Sequence, residues 1–278
     1  LNMNPLVRNK VCLIGLIAAL PLSALAGTEV YVPLGSANAV AVVDADNDRV
    51  VAEIPGISSS HGLAVTWVGR FLVAGSLIEH PEGALPPKPI DMSDEEHAAH
   101  HGSSDPPTRE TSGRLQSTGM VYLIDARERH ILRHIDVPGA VHHASITPDG
   151  RYAVVTHPGR GSVSVVDLRA QKFHKELPTG LAPNYVVCMR DGTRVYISNA
   201  GDGTISEIDT EDWSVLRKRP AGKMPEHLVL SPDERYLYVV NPATGTISRV
   251  ELESGQVTAT YAVGTDPHGV DLSDDGRL

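Results

Sequence analysis

Gly119-Met-Val-Tyr-Leu-Ile-Asp125, Gly161-Ser-Val-Ser-Val-Val-Asp167, Gly203-Thr-Ile-Ser-Glu-Ile-Asp209 and Gly245-Thr-Ile-Ser-Arg-Val-Glu251 follow one another at intervals of 42 residues. The same ruler links Arg151, Thr193, Arg235 and Arg277, each placed just after a turn: Pro148-Asp-Gly150, Arg190-Asp-Gly192, Pro232-Asp-Glu234 and Asp274-Asp-Gly276. An earlier copy, Asn38-Ala-Val-Ala-Val-Val-Asp44, lies 81 residues before its counterpart, which is one period of 42 plus 39 extra residues. One unit therefore carries an insertion, at about residues 78–117.

Within each unit the hydrophobic pattern reads as four short strands. In the unit that starts near His142, an apolar strand A (His142-His-Ala-Ser-Ile-Thr) turns at Pro-Asp-Gly into strand B (Tyr152-Ala-Val-Val-Thr). A Gly-containing turn leads to strand C (Ser162-Val-Ser-Val-Val), which ends on an Asp able to cap its own turn, and strand D follows. Four strands in about 40 residues is the unit of a propeller blade, because one small sheet cannot bury both faces unless it packs between neighbours in a ring. A solenoid of parallel coils is the rival, but its repeats are shorter and less hairpin-like. The expected fold is an all-β propeller of four-stranded blades over residues 27–278. Strands B to D appear at residues 28–54 without a strand A, and the last copy stops one residue into strand B. A seven-bladed ring would need roughly 90 more residues, so the reading is a C-terminally truncated fragment of such a ring.

Composition agrees. The 278 residues include 25 Gly and 20 Pro but only 12 aromatics (2 Trp, 8 Tyr, 2 Phe), a balance suited to many short strands built on Val, Ile and Leu and broken by tight turns. A formal charge of −10 argues against nucleic acid, whose phosphates call for a basic face. At the amino terminus, Arg8 and Lys10 precede an apolar run from Val11 to Leu22 and then Ala24-Leu25-Ala26, the pattern of a secretory signal peptide over residues 1–26. The run is too short to span a membrane. The expected location is periplasmic or secreted. Its removal takes away Cys12 and leaves Cys188 as the single thiol, and with no Cys-x-x-Cys-His present, covalent c-type haem attachment is excluded. Cys188 sits mid-strand in apolar company and reads as a buried, inert thiol.

Val195-Tyr-Ile-Ser-Asn199 and Leu237-Tyr-Val-Val-Asn241, each leading into a Gly-Thr-Ile-Ser strand and an acidic turn, resemble the YVTN β-propeller repeats. Those repeats belong to a wider group that includes the haem-binding domain of cytochrome cd1-type nitrite reductase and lactonase-like propellers. The resemblance spans nearly all of residues 28–278. It implies the fold and says little about function, because the matching residues are turn and strand chemistry.

Histidine placement carries the functional signal. On the 42-residue ruler, the residues that start strand A are His61, His142, Asn184, Glu226 and His268; one position later they are Gly62, His143, Tyr185, His227 and Gly269. Strand A is innermost in a propeller, so these positions form a ring at one mouth. His157, at the end of strand B where sister units have Asn199 and Asn241, returns to the same face because adjacent strands are antiparallel. The insertion emerges there too. It holds six Pro, eight acidic and three basic residues and the cluster His97, His100 and His101 behind Asp94-Glu95-Glu96. Its composition is that of an acidic loop with little core-forming power. Ten of the 13 histidines fall on this one face.

The metal candidates are His61, His142, His143, His157, His227, His268 and Glu226, with His97, His100 and His101 as weaker ones. Each histidine alone could simply bond the next blade's backbone. As a set they make a multidentate cage for copper, zinc or iron, since neutral imidazole is a common ligand for these ions. In cytochrome cd1-type domains the cofactor lies on the propeller face near histidines, so the resemblance implies His142, His143, His227 and His268 as candidates for a non-covalent haem-like group. Three functions follow: redox or metal handling at this face; a non-catalytic scaffold whose acidic loop grips a partner protein; or a lactonase-like hydrolase using Glu226 and His227.

Overall fold

The structure, a computed structural model, describes residues 27–81 and 117–273. The expected signal peptide at residues 1–26, the loop histidines His97, His100 and His101 and the last five residues lie outside the described residues. Among the described residues are five antiparallel sheets arranged as the 42-residue ruler requires. The first has three strands, β1 (Glu29–Leu34), β2 (Ala39–Asp44) and β3 (Arg49–Pro55), in that order. The second contains β4 (Ser60–Val65), β5 (Phe71–Ser76), β6 (His80–Pro81), β7 (Ser117–Asp125) and β8 (His130–Val137). The third is built from β9 (Ala144–Ile146), β10 (Tyr152–His157), β11 (Ser162–Asp167) and β12 (Lys172–Pro178). The fourth has β13 (Pro183–Cys188), β14 (Arg194–Asn199), β15 (Thr204–Asp209) and β16 (Ser214–Pro220). The fifth has β17 (Leu228–Leu230), β18 (Tyr236–Asn241), β19 (Thr246–Glu251) and β20 (Val257–Ala262).

The middle strands of the second, third and fourth sheets are largely buried because both faces of those blades are covered. β10 and β11 are buried nearly from end to end, whereas the outer strand β12 is exposed over its first four residues. Each junction between successive blades has its own apolar cluster. Val40, Ile54, Leu72 and Tyr122 join blades one and two; Val73, Leu123, Val155 and Val166 join two and three. Val165, Ile197 and Trp213 join three and four, and Tyr196, Leu228 and Val239 join four and five. Every fully buried Val, Ile or Leu contributes about 1.5–3 kcal/mol, so the inter-blade layers carry the fold.

The repeat extends to the irregularities. The pairing of strands C and D of each repeat slips between Val42 and Val43, Leu123 and Ile124, Val165 and Val166, Glu207 and Ile208, and Arg249 and Val250. These are equivalent positions in all five sheets, as expected if the bulge bends each outer strand to follow the blade's twist. The insertion expected at about 78–117 is rooted in an extended hairpin. His80 and Pro81 pair with Thr118 and Ser117, which lengthens β7 to nine residues where its counterparts have six.

Candidate metal-binding mouth

The inner strands are shorter than the sequence pattern suggests. His142 and His143 precede β9, and Glu226 and His227 precede β17, while residues 263–273 form no strand. In the other two complete blades the inner pairing slips at the same place, between Ser60 and Leu63 and between Pro183 and Val186. The blade edge still closes here by local bonds. The His142 amide donates to the Thr156 carbonyl and the Thr156 amide to the His143 carbonyl, each at 3.0 Å. Glu226 N–H to Val240 O and Val240 N–H to His227 O repeat the pattern, both at 2.9 Å. In a regular strand consecutive side chains point to opposite faces, but a bulge re-aims them. That break lets both His142 and His143 reach the mouth.

The rings then meet across blades. His61 stacks on His142 with centroids 4.6 Å apart and planes 19° from parallel, and His143 meets both, at 5.1 Å from His61 and 4.6 Å from His142. Gly62 makes this approach feasible. A Cβ there would lie 2.7 Å from the His142 carbonyl oxygen and 2.8 Å from the His143 Cα, so only glycine lets the two inner segments come together. Tyr185 packs between His143 at 4.6 Å and His227 at 4.4 Å, and His227 touches His268 at 4.6 Å. Tyr185 stood on the same sequence ruler without being singled out; its contact with imidazoles on both sides marks it as part of the mouth.

His61, His142 and His143 bring one ligand nitrogen each within 4.8 Å of one another, the single group of three or more such residues among the described residues. His61 Nδ1 lies 2.8 Å from the His142 carbonyl oxygen. A carbonyl only accepts, so Nδ1 carries the proton and Nε2 keeps its lone pair, the arrangement that orients metal-ligating imidazoles. His142 Nδ1, His143 Nε2 and His227 Nε2 are buried with no hydrogen-bond partner. Buried polar atoms are normally paired, so three orphans in one patch need an explanation.

Burial also keeps these rings neutral. It pushes the His143 imidazole down to about 2, with the neighbouring His142 and His227 adding to the effect. His227 is pushed down to about 4, by burial and then by His268. His142 is lowered by burial and by His61, against the opposing pull of the Asn184 carbonyl. Neutral imidazoles with a nitrogen left unpartnered suit a transition metal, which binds the neutral ring, and are what a packed polar core avoids.

His157 is the exception among the histidines placed on this face. It is fully buried, its Nδ1 is 3.0 Å from the Ala140 carbonyl and its Nε2 is 2.7 Å from Ser164 Oγ. Nδ1 must donate to the carbonyl, so Nε2 accepts the serine hydroxyl and has no lone pair for a metal. The sister position Asn199 donates from Nδ2 to Ser206 Oγ, and Asn241 to Ser248 Oγ, each at 2.9 Å. His157 is thus a strand-end tie, and the 42-residue recurrence of its serine partner is the signal that marks it. Glu226, half-buried, joins no group of three potential ligands among the described residues. The root of the insertion does emerge at the mouth: Glu79 accepts from the Ala140 amide at 3.2 Å, two residues before His142.

These features define a β-propeller with an imidazole-lined mouth. A sequence model of the cytochrome D1 heme domain matches residues 114–228, and one of the YNCE-like beta-propeller matches residues 190–278. The chain is similar to both, as the YVTN-like repeats imply. Among solved structures it is similar to hydrazine synthase of Kuenenia stuttgartiensis, with 17% identity, a TM-score of 0.67 and coverage of 90% of this chain and 68% of that one. A functionally unknown protein from Desulfotomaculum acetoxidans DSM 771 gives 13% identity, a TM-score of 0.67 and coverage of 90% and 71%. A search among curated protein sequences finds no match. The structural likenesses carry the fold alone. Among the described residues no helix is long and apolar enough to cross a membrane.

Proposed function

We propose that this is an exported propeller that holds a first-row transition-metal ion on His61, His142 and His143 and serves redox or metal-handling chemistry. The observation that carries the reading is the set of three ligand nitrogens within 4.8 Å, with orphaned buried nitrogens on His142 and His143. An all-nitrogen donor set fits copper, zinc or iron and disfavours magnesium or calcium, which take oxygen ligands. A bound ion would act as Lewis acid or electron relay. The chain's own residues supply the rest. His61 is oriented through its Nδ1–H, Tyr185 walls the site, and His227, neutral at pH 7, serves as base or hydrogen-bond partner and not as general acid.

Non-covalent haem is the second reading, favoured by the cytochrome D1 heme-domain match, whose range includes His142, His143 and His227. The inner rings touch at 4.4–5.1 Å, which leaves no slot for a macrocycle among them. A haem would have to be liganded from the exposed histidines, His61 or His268. Metal analysis and visible absorption of the full-length protein separate these readings. The expected result is a bound ion lost in the His142→Ala, His143→Ala double variant, without a Soret band. A protein that takes up neither copper, zinc, iron nor haem overturns both and favours a scaffold role for the mouth and its acidic loop.

A further inference from the structure

Among the described residues five imidazoles line the mouth, and His61, His142 and His143 account for one ion. His227 and His268 stand outside the group formed by His61, His142 and His143. They are nevertheless in contact, with centroids 4.6 Å apart and planes at 57°. His227 Nε2 is buried without a partner, while His268 is exposed. Tyr185 separates this pair from the first group on one side, and on the other His143 and His227 meet edge to face at 5.0 Å. Among the described residues no ion pair or hydrogen bond engages either ring of the pair.

We propose that His227 and His268 form a second transition-metal position, so that the mouth is a two-ion site. This rests on the reading above, in which His61, His142 and His143 hold the first ion. Two imidazoles leave coordination positions free for water or for a small ligand, and the exposure of His268 opens that side to solvent. Ions held on touching ligand sets can each take one atom of the same small substrate. The three-imidazole set is the tighter site and the two-imidazole pair the weaker, exchangeable one.

The test is made in the full chain with His97, His100 and His101 replaced by Ala, so that the loop adds no ligands. Cu(II) is titrated in, bound copper is counted at equilibrium by dialysis against known free copper, and the spin-resonance spectrum is recorded. The expected result is two equivalents with a half-field signal from two coupled Cu(II) ions, falling to one uncoupled equivalent in His268→Ala. His268 is exposed, so its removal leaves the packing intact, and circular dichroism checks this. A single equivalent that persists in the His227→Ala, His268→Ala variant removes the second position and leaves the first standing. A single equivalent lost both there and in His142→Ala means one shared ion and also overturns the proposal. No bound copper at all overturns the first site with it.

Discussion

His157 and His143 are the same residue type, 14 positions apart in one blade, the first fully buried and the second half-buried, and they are treated in opposite ways. Both nitrogens of His157 are satisfied, by Ala140 and Ser164, whereas His143 Nε2 has no partner and its ring is surrounded by three other imidazoles and a phenol. The strand-end position repeats as His157, Asn199 and Asn241, each bonded to a serine seven residues on. The mouth position keeps no such rule. At the strand end the polar side chain finds a serine on the neighbouring strand, whereas at the mouth buried nitrogens of His142, His143 and His227 are left without a protein partner.

Exchanging the two roles should fail, and the variants rank by effect. Replacing His142 and His143 by Ala should cost more than about 100-fold in metal affinity, beyond the loss expected from removing an outer-shell partner alone. Calorimetric titration reads it, and the apo-protein should unfold at the same denaturant concentration as before or higher. His157→Ala should do the reverse: about 2–4 kcal/mol of stability lost in urea, with the metal count unchanged. His157→Asn should recover most of that loss, because Asn makes the same serine bond in the next two blades. Gly62→Ala should cost about 1–3 kcal/mol by forcing β4 away from the His142–His143 backbone, and should weaken metal binding without removing a ligand.

Acid should expose the same contrast more gently. The folded-state values of about 2 for His143 and about 4 for His227 lie below the ordinary imidazole value of 6.5. Between those limits the unfolded chain binds more protons than the folded one. The stabilisation is therefore complete above about pH 6.5 and is lost as pH falls through 4 towards 2. Urea midpoints of the metal-free protein at pH 7, 5.5 and 4.5 should fall progressively, and the slope should flatten in the His143→Asn, His227→Asn variant. An unchanged slope would mean that these rings are already solvated.

The blades were legible because their chemistry is periodic. Gly-x-x-x-x-x-Asp runs and Pro-Asp-Gly turns at 42-residue intervals, with both faces of the middle strands apolar, leave a packed ring of small sheets as the consistent arrangement, and the bulges fall on the same ruler. The ruler also put His61, His142, His143, Tyr185, His227 and His268 at one mouth. What it could not give is direction. A strand-end residue such as His157 returns to the right face yet turns its ring towards a serine on the neighbouring strand. Only the break in inner pairing, invisible in a one-dimensional pattern, explains why His142 and His143 both reach the mouth.

The proposed coordination set is His61, His142 and His143 acting together. Co(II) titrated into the full-length protein at pH 7 reports it directly, since its visible d–d bands depend on ligand type and number. A nitrogen-ligated spectrum that disappears in the His61→Ala, His142→Ala, His143→Ala variant is the predicted result. A spectrum unchanged in that variant, or none in the parent protein, would contradict it.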